Sequence, residues 1–458
     1  MRDVLRRAVR RVPVLGHLRT FTSLSAAGLG EAVLPALSLI ALVRTTGTQT
    51  SGQVIFAQSV AGLWFLLSNP CLENAAQRFV PVEQRQTGQG SALFLLLLRW
   101  SAGLGAAATA VALVAVLALG LPGLISDDAA LMIALSVVGR QVTAPYATAG
   151  AGFALADRLR VLGTLRIRAA LLSFCLSLAG LYAGGPLLYL AGQAVGSLLM
   201  TAVICRAATR AAVSALGPPT GRPRLPAGLA AYTVQTSLGT AVAGISDTGI
   251  LTVAGLVGGP ALVTTLKIAS APGRFYANFA VPVAAMLYPR IARAAADGEG
   301  GVRIRRDVLR ATLLLTLAGV VVVTTVFPLM STVIAVAYGK QYAGVAAAAT
   351  PLLAAACVKG VVCWSNVLPL AVGRAGRRLA YLSAEAALLV ALLATANLAA
   401  SGTLPAAAAY GWGALALAAA CSAFWIASLP GLVERIRLPE HPVRPAAPAE
   451  SGGPRTVV

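Results

Sequence analysis

Residues 91–120 read SALFLLLLRWSAGLGAAATAVALVAVLALG, thirty positions in which Arg99 is the one charged residue. At 1.5 Å per residue, such a run crosses the ~30 Å hydrocarbon layer of a bilayer as a single helix. It is apolar on every face, whereas a helix at the surface of a soluble domain keeps a polar side. The segments around it have to be read in the same terms.

Composition extends that reading to the whole chain. The 458 residues are 58% hydrophobic and 11% charged, with a mean hydropathy of +0.80; an ordinary soluble chain is about 25% charged. Unbroken apolar runs replace the alternating pattern of barrel strands, so the spans are helices. We expect an all-α integral membrane fold of about twelve transmembrane helices. They fall near 20–43, 52–76, 92–119, 129–154, 168–185, 187–206, 228–256, 261–289, 308–334, 344–372, 379–400 and 404–430.

A formal charge of +21 would point a soluble protein toward nucleic acid, but here the bases cluster between apolar runs. Alternate connections hold Arg78 and Arg85, then Arg158, Arg160, Arg166 and Arg168, then Arg206, Arg210, Arg222 and Arg224. Later ones hold Arg290, Arg293, Arg303, Arg305 and Arg306, then Arg374, Arg377 and Arg378, before Arg435 and Arg437 in the tail. The opposite connections carry little beyond Arg44, Asp127, Asp128 and Lys340. Basic loops stay cytoplasmic, which puts both termini of a multi-pass cell-membrane protein inside and removes nucleic acid as a partner.

Residues 1–13 set Val4, Leu5, Ala8, Val9 and Val12 against Arg2, Arg6, Arg7, Arg10 and Arg11. This is a basic amphipathic helix for the anionic inner leaflet, too basic for a cleaved signal peptide, and we expect it to be retained. The stretch 431–458, rich in Pro, Ala and Gly, is expected to be a disordered cytoplasmic tail.

Shifting the chain by about 216 residues sets Glu31 on Asp247, Gln58 on Arg274 and Arg158 on Arg374. The expected organisation is therefore two six-helix lobes related by an internal repeat, at 14–216 and 228–430, joined by a cytoplasmic linker at 217–227. An even number of spans in each half gives both lobes the same orientation.

Charge inside a span costs about 2.5–3.5 kcal/mol on insertion scales, so it marks a bundle interior or a wet cavity. Glu31 and Asp247 lie halfway along spans one and seven, as candidate ion-coupling carboxylates or structural partners of a base. Arg140, Arg274 and Lys359 lie near the middle of spans four, eight and ten, as candidate cavity cations. Arg99 and Lys267, nearer the ends, are read as snorkelling to the interface. Three central cations against two carboxylates favour an anionic head group such as a diphosphate. Pro70, Pro272 and Gly273 permit bending within spans two and eight.

Other chemistry has little raw material. Six cysteines form no CxxC pair, and His17 and His441 lie in the terminal regions, so no metal site or histidine-based triad is expected. Lys267, Lys340 and Lys359 are the only lysines, and none completes a phosphate-binding loop. We expect no cofactor, no ATP hydrolysis and no enzymatic activity.

The segments LVRTTGTQTSGQVIFAQSV (42–60) and NPCLENAAQRFVP (69–81), with their later counterparts GISDTGILTVAGLVG (244–258), LKIASAPGRF (266–275) and LYPRIARA (287–294), carry a family likeness. Over about residues 15–430 the chain resembles the polysaccharide-transporter (Wzx-type flippase) branch of the multidrug/oligosaccharidyl-lipid/polysaccharide exporter superfamily. It departs from that pattern at Leu266, where such sequences often carry an aromatic residue, and it lacks an extra terminal helix pair. The resemblance implies two lobes around a V-shaped cationic cavity, with Glu31, Asp247 and Arg274 on cavity-facing helices.

It also implies a secondary transporter that flips a lipid-linked oligosaccharide, on undecaprenyl diphosphate, across the plasma membrane by alternating access for cell-surface polysaccharide such as lipopolysaccharide. The expected partners are that anionic lipid, membrane lipids, a coupling proton or sodium ion, and a polysaccharide polymerase or glycosyltransferases. The alternatives are an ion-coupled drug or metabolite antiporter of the same superfamily and a membrane-embedded glycan-transferring enzyme.

Overall fold

The computed structural model describes residues 13–221, 223–296, 300–366, 368–371 and 375–434. The amphipathic helix expected over 1–13 lies outside them apart from Pro13, and so do the tail from 435, Arg222 and Arg374.

Every regular element among the described residues is helical. The first half holds α1 (Pro13–Ser68), α2 (Leu72–Thr87), α3 (Gly90–Gly120), α4 (Asp127–Gln141), α5 (Ala144–Leu155) and α6 (Leu159–Leu216). The second holds α7 (Leu229–Gly244), a π-turn (Ile245–Gly249), α8 (Ile250–Ala296), α9 (Gly300–Val326) and α10 (Met330–Tyr338). A 3-10 turn (Lys340–Val345), α11 (Ala346–Val361), α12 (Leu368–Ala371), α13 (Ala375–Ala399) and α14 (Thr403–Glu434) follow.

Eight of the described helical segments are long and apolar enough to cross a membrane, and two of them, Val33–Thr87 and Leu159–Leu216, are 55 and 58 residues long. Each of those two is a hairpin. Gly47 breaks α1 at φ 74, and Gly185, beside Pro186, breaks α6 at φ 76; both angles are open to glycine without a Cβ clash. Two crossings from each hairpin, the broken α4–α5 pair and α7 with its π-turn bring the bundle to twelve. The fold is thus the all-helical membrane architecture expected from the sequence.

Boundaries differ at several spans: the fifth begins at Leu159 instead of 168, the second is interrupted between Ser68 and Leu72, and the helix of the tenth ends at Val361 instead of 372. Span nine was expected to run to 334, but α9 ends at Val326 and α10 begins at Met330. Pro328 lies in that gap, where it cannot donate a helical hydrogen bond.

The repeat is visible in the backbone. Gly47 (φ 74, ψ −178) and Gly259 (φ 70, ψ −174) make the same turn 212 residues apart. At that register Asp247 falls opposite Pro35, and Glu31 lies one helical turn away. The pairing of Glu31 with Asp247 at a shift of 216 is therefore corrected by four residues at this hairpin. The π-turn that contains Asp247 adds a residue locally, an irregularity that hydropathy cannot register.

Apolar packing follows the halves. Phe94, Phe153 and Ile204 anchor a buried cluster in the first half, and Leu262, Ile268, Leu353 and Leu393 anchor one in the second. Leu39, Val43 and Ile55 of α1 join the second cluster and form the seam. Along that seam, side chains on Gly52, Gly62, Gly244 and Gly255 would strike Pro260, Thr248, Leu66 and Phe56. Small residues let helix backbones approach closely where lipid supplies no hydrophobic drive.

Candidate functional site

Two adjoining cavities of about 260 and 430 Å³ open along the seam and share Gln58, Gln193, Lys267 and Arg274 in their walls. The smaller adds Arg140 of α4 and Thr248 of the π-turn; the larger adds Ser38 and Tyr189. Both fall in or near the volume range of small-ligand sites.

Three cations reach these walls. Arg140 lies in the last turn of α4, where the helix C-terminus favours positive charge. Its guanidinium carbon stands 4.5 Å from the centroid of the Phe65 ring. That stacking engages one face of the group and leaves the N–H edge to meet an anion. The helix break that follows is supported by Thr143, whose hydroxyl donates to the Arg140 carbonyl at 2.7 Å, and by Ser101, which donates to the Ala144 carbonyl at 2.9 Å. Lys267 and Arg274 sit seven residues apart on α8, so both point the same way, about 10 Å apart along the helix.

The opposite wall is polar and neutral. The Gln58 amide donates to Gln193 at 2.9 Å, and the Ser38 and Tyr189 hydroxyls lie 2.9 Å apart. Thr252 donates to Ser59 at 3.1 Å across the seam. Spread over α1, the second limb of its hairpin, α6 and α8, these contacts hold both halves against the cavity.

Arg140 and Arg274 are thus brought together, while Lys359 is not among the residues lining either cavity. It forms an ion pair with Glu385 of α13; their side chains are 43% and 5% exposed. The side chains of Glu31 and Asp247 lie outside the described set, although Thr248, next to Asp247, lines the smaller cavity. Among the described lining residues there are three cations and no carboxylate. Counting Asp247 as a neighbouring negative charge still leaves the site net positive.

Two residues escaped the sequence reading. Lys267 was assigned to the interface from its distance to the helix end, yet its seven-residue spacing from Arg274 already placed it on the same face. Glu385, inside an apolar run, carried the same buried-charge signal as Glu31 and Asp247 but was not singled out. No group of three or more His, Cys, Asp or Glu that could hold a metal occurs among the described residues.

At the turn end of the seam, the halves are hydrogen-bonded. Arg44 donates through Nε to the Ala337 carbonyl at 2.8 Å and through Nη2 to that of Val336, capping the last turn of α10. The Thr48 and Tyr342 hydroxyls are 2.9 Å apart, and Thr264 donates to the Thr48 carbonyl at 2.8 Å. The larger cavity lies away from this latch: Ser38 is about 14 Å from Gly47 along its helix, and Asn278 about 28 Å from Gly259.

No protein-family model and no curated protein matches the chain by sequence. Solved structures do. A MATE in complex with MaL6 aligns with a TM-score of 0.63 at 13% identity, covering 91% of this chain and 97% of that one. The Vibrio cholerae MATE transporter VcmN aligns at 0.60 and 12% identity, over 90% and 100%. A MOP-superfamily transporter from Pyrococcus furiosus, whose binding pocket is described as having reverse polarity suggesting a different function, aligns at 0.64 and 12%, over 92% and 96%. The chain therefore has the twelve-helix, two-lobe fold of MATE and MOP-superfamily transporters. At 12–13% identity these neighbours show the fold, and none of the three is described as a polysaccharide transporter.

Proposed function

We propose that this protein is a secondary transporter that carries an anionic compound across the membrane by alternating access, coupled to an ion gradient. The observation that carries the reading is the convergence of Arg140, Lys267 and Arg274 on one pair of seam cavities. Charge-assisted and bidentate hydrogen bonds to carboxylate or phosphate are the strongest contacts such a wall offers. The neighbours described as MATE transporters favour the antiporter reading, which the sequence analysis placed second, over glycan flipping. The cavity volumes also suit a compound of drug or metabolite size.

Flipping of an undecaprenyl-diphosphate-linked oligosaccharide is the second reading. The three-cation wall favours it, because a diphosphate carries two phosphoryl groups for the guanidinium and ammonium donors. In either case the latch between Arg44 and α10 must open for the cavity to face the other side.

Transport by the purified protein in proteoliposomes tests both. A labelled organic anion, a labelled organic cation and a labelled lipid-linked oligosaccharide are each offered under a proton or sodium gradient. The proposal expects the free anion to move and Arg140→Gln or Arg274→Gln to reduce that movement at least tenfold. Movement of the cation, unaffected by either substitution, overturns it; movement of the lipid-linked glycan alone selects the second reading.

A further inference from the structure

We propose that Arg78 of the first half and Arg378 of the second form a binding site for the phosphate head group of an inner-leaflet lipid, held against one face of α7. The site lies apart from the seam cavities and does not depend on what they carry.

Both halves meet on α7 at the end of the bundle that the basic connections assign to the cytoplasm. The Tyr232 ring packs edge-on against Phe79 of α2, with centroids 5.7 Å apart, and the Cys71 backbone N–H donates to the Ser237 hydroxyl at 2.9 Å. From the other half, Arg378 of α13 brings Nη1 to Gly239, 3.7 Å from where a Cβ on that glycine would stand. Arg78 lies over the Tyr232 ring, its guanidinium carbon 4.6 Å from the centroid. Tyr232 and Gly239 are seven residues apart, so they share a face of α7 about 10 Å from each other along the helix. Two guanidiniums from different halves therefore stand over one stripe of one helix.

Neither forms an ion pair with an acid among the described residues. The acids of α2, Glu73 and Glu83, are each five residues from Arg78 and so lie off its face; Glu83 is buried and accepts from the Thr87 hydroxyl at 2.8 Å. Stacking on Tyr232 engages a face of the Arg78 fork and leaves its N–H edge open. Arg378 is more demanding. Its Nε is shut off from solvent without a hydrogen-bond partner among the described residues. A charged donor left in that condition is costly, and a phosphate placed between the two forks supplies acceptors to both.

The surroundings point to a lipid as the source of that phosphate. Arg378 stands in the first turn of α13, at the edge of the apolar stretch Gly376–Ala399 that is long enough to cross a membrane, which is head-group depth. Beside the stripe on α7, Val234 and Leu238 lie one turn apart and are 65% and 51% exposed, an apolar surface for acyl chains next to the phosphate. Basic pockets between helices on the cytoplasmic side suit anionic head groups. A free phosphate would gain nothing from the apolar surface.

Binding and stability of the full chain test the site. In detergent, native mass spectrometry with phosphatidylglycerol gives a Kd that Arg78→Gln and Arg378→Gln each raise about fivefold. Arg160→Gln and Arg377→Gln, at exposed bases of neighbouring connections, leave it within about twofold, and excess inorganic phosphate does not displace the lipid. Thermal unfolding in nanodiscs separates binding from packing. In phosphatidylcholine, Arg378→Gln melts at or above the parent, because an unpaired and desolvated charge has gone; in phosphatidylglycerol it melts below the parent. A fall of equal size in both lipids makes Arg378 a packing residue and overturns the inference. An Arg160→Gln loss as large as that of Arg378→Gln reduces the site to a diffuse basic surface and overturns it too. Displacement by inorganic phosphate assigns the arginines to a soluble anion instead of a lipid.

Discussion

Arg140 and Lys359 occupy matching places in the two halves, and the halves use them in opposite ways. Each lies in the last turn of a helix that breaks in mid-span, α4 at Val142 and α11 at Val362, where the helix dipole favours a cation. Arg140 rests on Phe65 and lines the cavity; Lys359 is held by Glu385. An aromatic face leaves the positive charge available, whereas a carboxylate removes it. The difference teaches that a repeat can preserve a charged position while local partners decide whether it meets cargo or is kept within its own lobe.

The largest expected effect tests that division directly. Arg140→Glu should abolish anion transport, and Arg140→Lys should raise KM about tenfold, because lysine loses the planar fork and the stacking on Phe65. Lys359→Met should leave KM within about twofold. Initial rates of labelled-anion uptake in proteoliposomes measure all three, and a Lys359→Met variant that weakens cargo binding as much as Arg140→Lys would erase the contrast.

A smaller effect is asymmetric within the ion pair. Removing Lys359 leaves Glu385 buried and unpaired, a loss on the order of 3 kcal/mol. Glu385→Gln leaves Lys359, at 43% exposure, free to swing outward, and should cost only about 1 kcal/mol. Thermal unfolding in detergent should therefore rank Lys359→Met below Glu385→Gln, and Glu385→Gln below the parent. The opposite order would mean that the ammonium is the buried member.

Much of the bundle was legible because a bilayer imposes its thickness on sequence. Runs such as 91–120 have one reading, and the alternation of basic connections gave a count of twelve without any contact being known. Partners were less legible. Lys359 and Arg140 look alike in hydropathy, and only the approach of α13 separates them. Lys267 was misjudged for a related reason: distance to a helix end was weighed, while rotational position relative to Arg274 was not. The repeat register at the first hairpin failed by four residues because it was matched on charged residues, and charge type does not report where the backbone turns, which Gly47 and Gly259 mark.

The smallest effect concerns the seam, where the two halves are compared at their point of contact rather than at matching positions. Thr264→Val removes a hydroxyl that donates to the Thr48 carbonyl and lies 3.3 Å from Ser51 Oγ, while keeping the side-chain volume. A neutral hydrogen bond contributes about 1 kcal/mol net, so the balance between latched and open states should move roughly fivefold toward open. Arg44→Met, which removes the cap on α10, should move it further in the same direction, since a charged donor is involved. Spin-label distances across Gln49 and Gln341 read both populations. If Arg44→Met shifts them no more than Thr264→Val does, then the contacts nearest the Gly47 and Gly259 turns hold the halves together, and the arginine cap serves only the stability of α10.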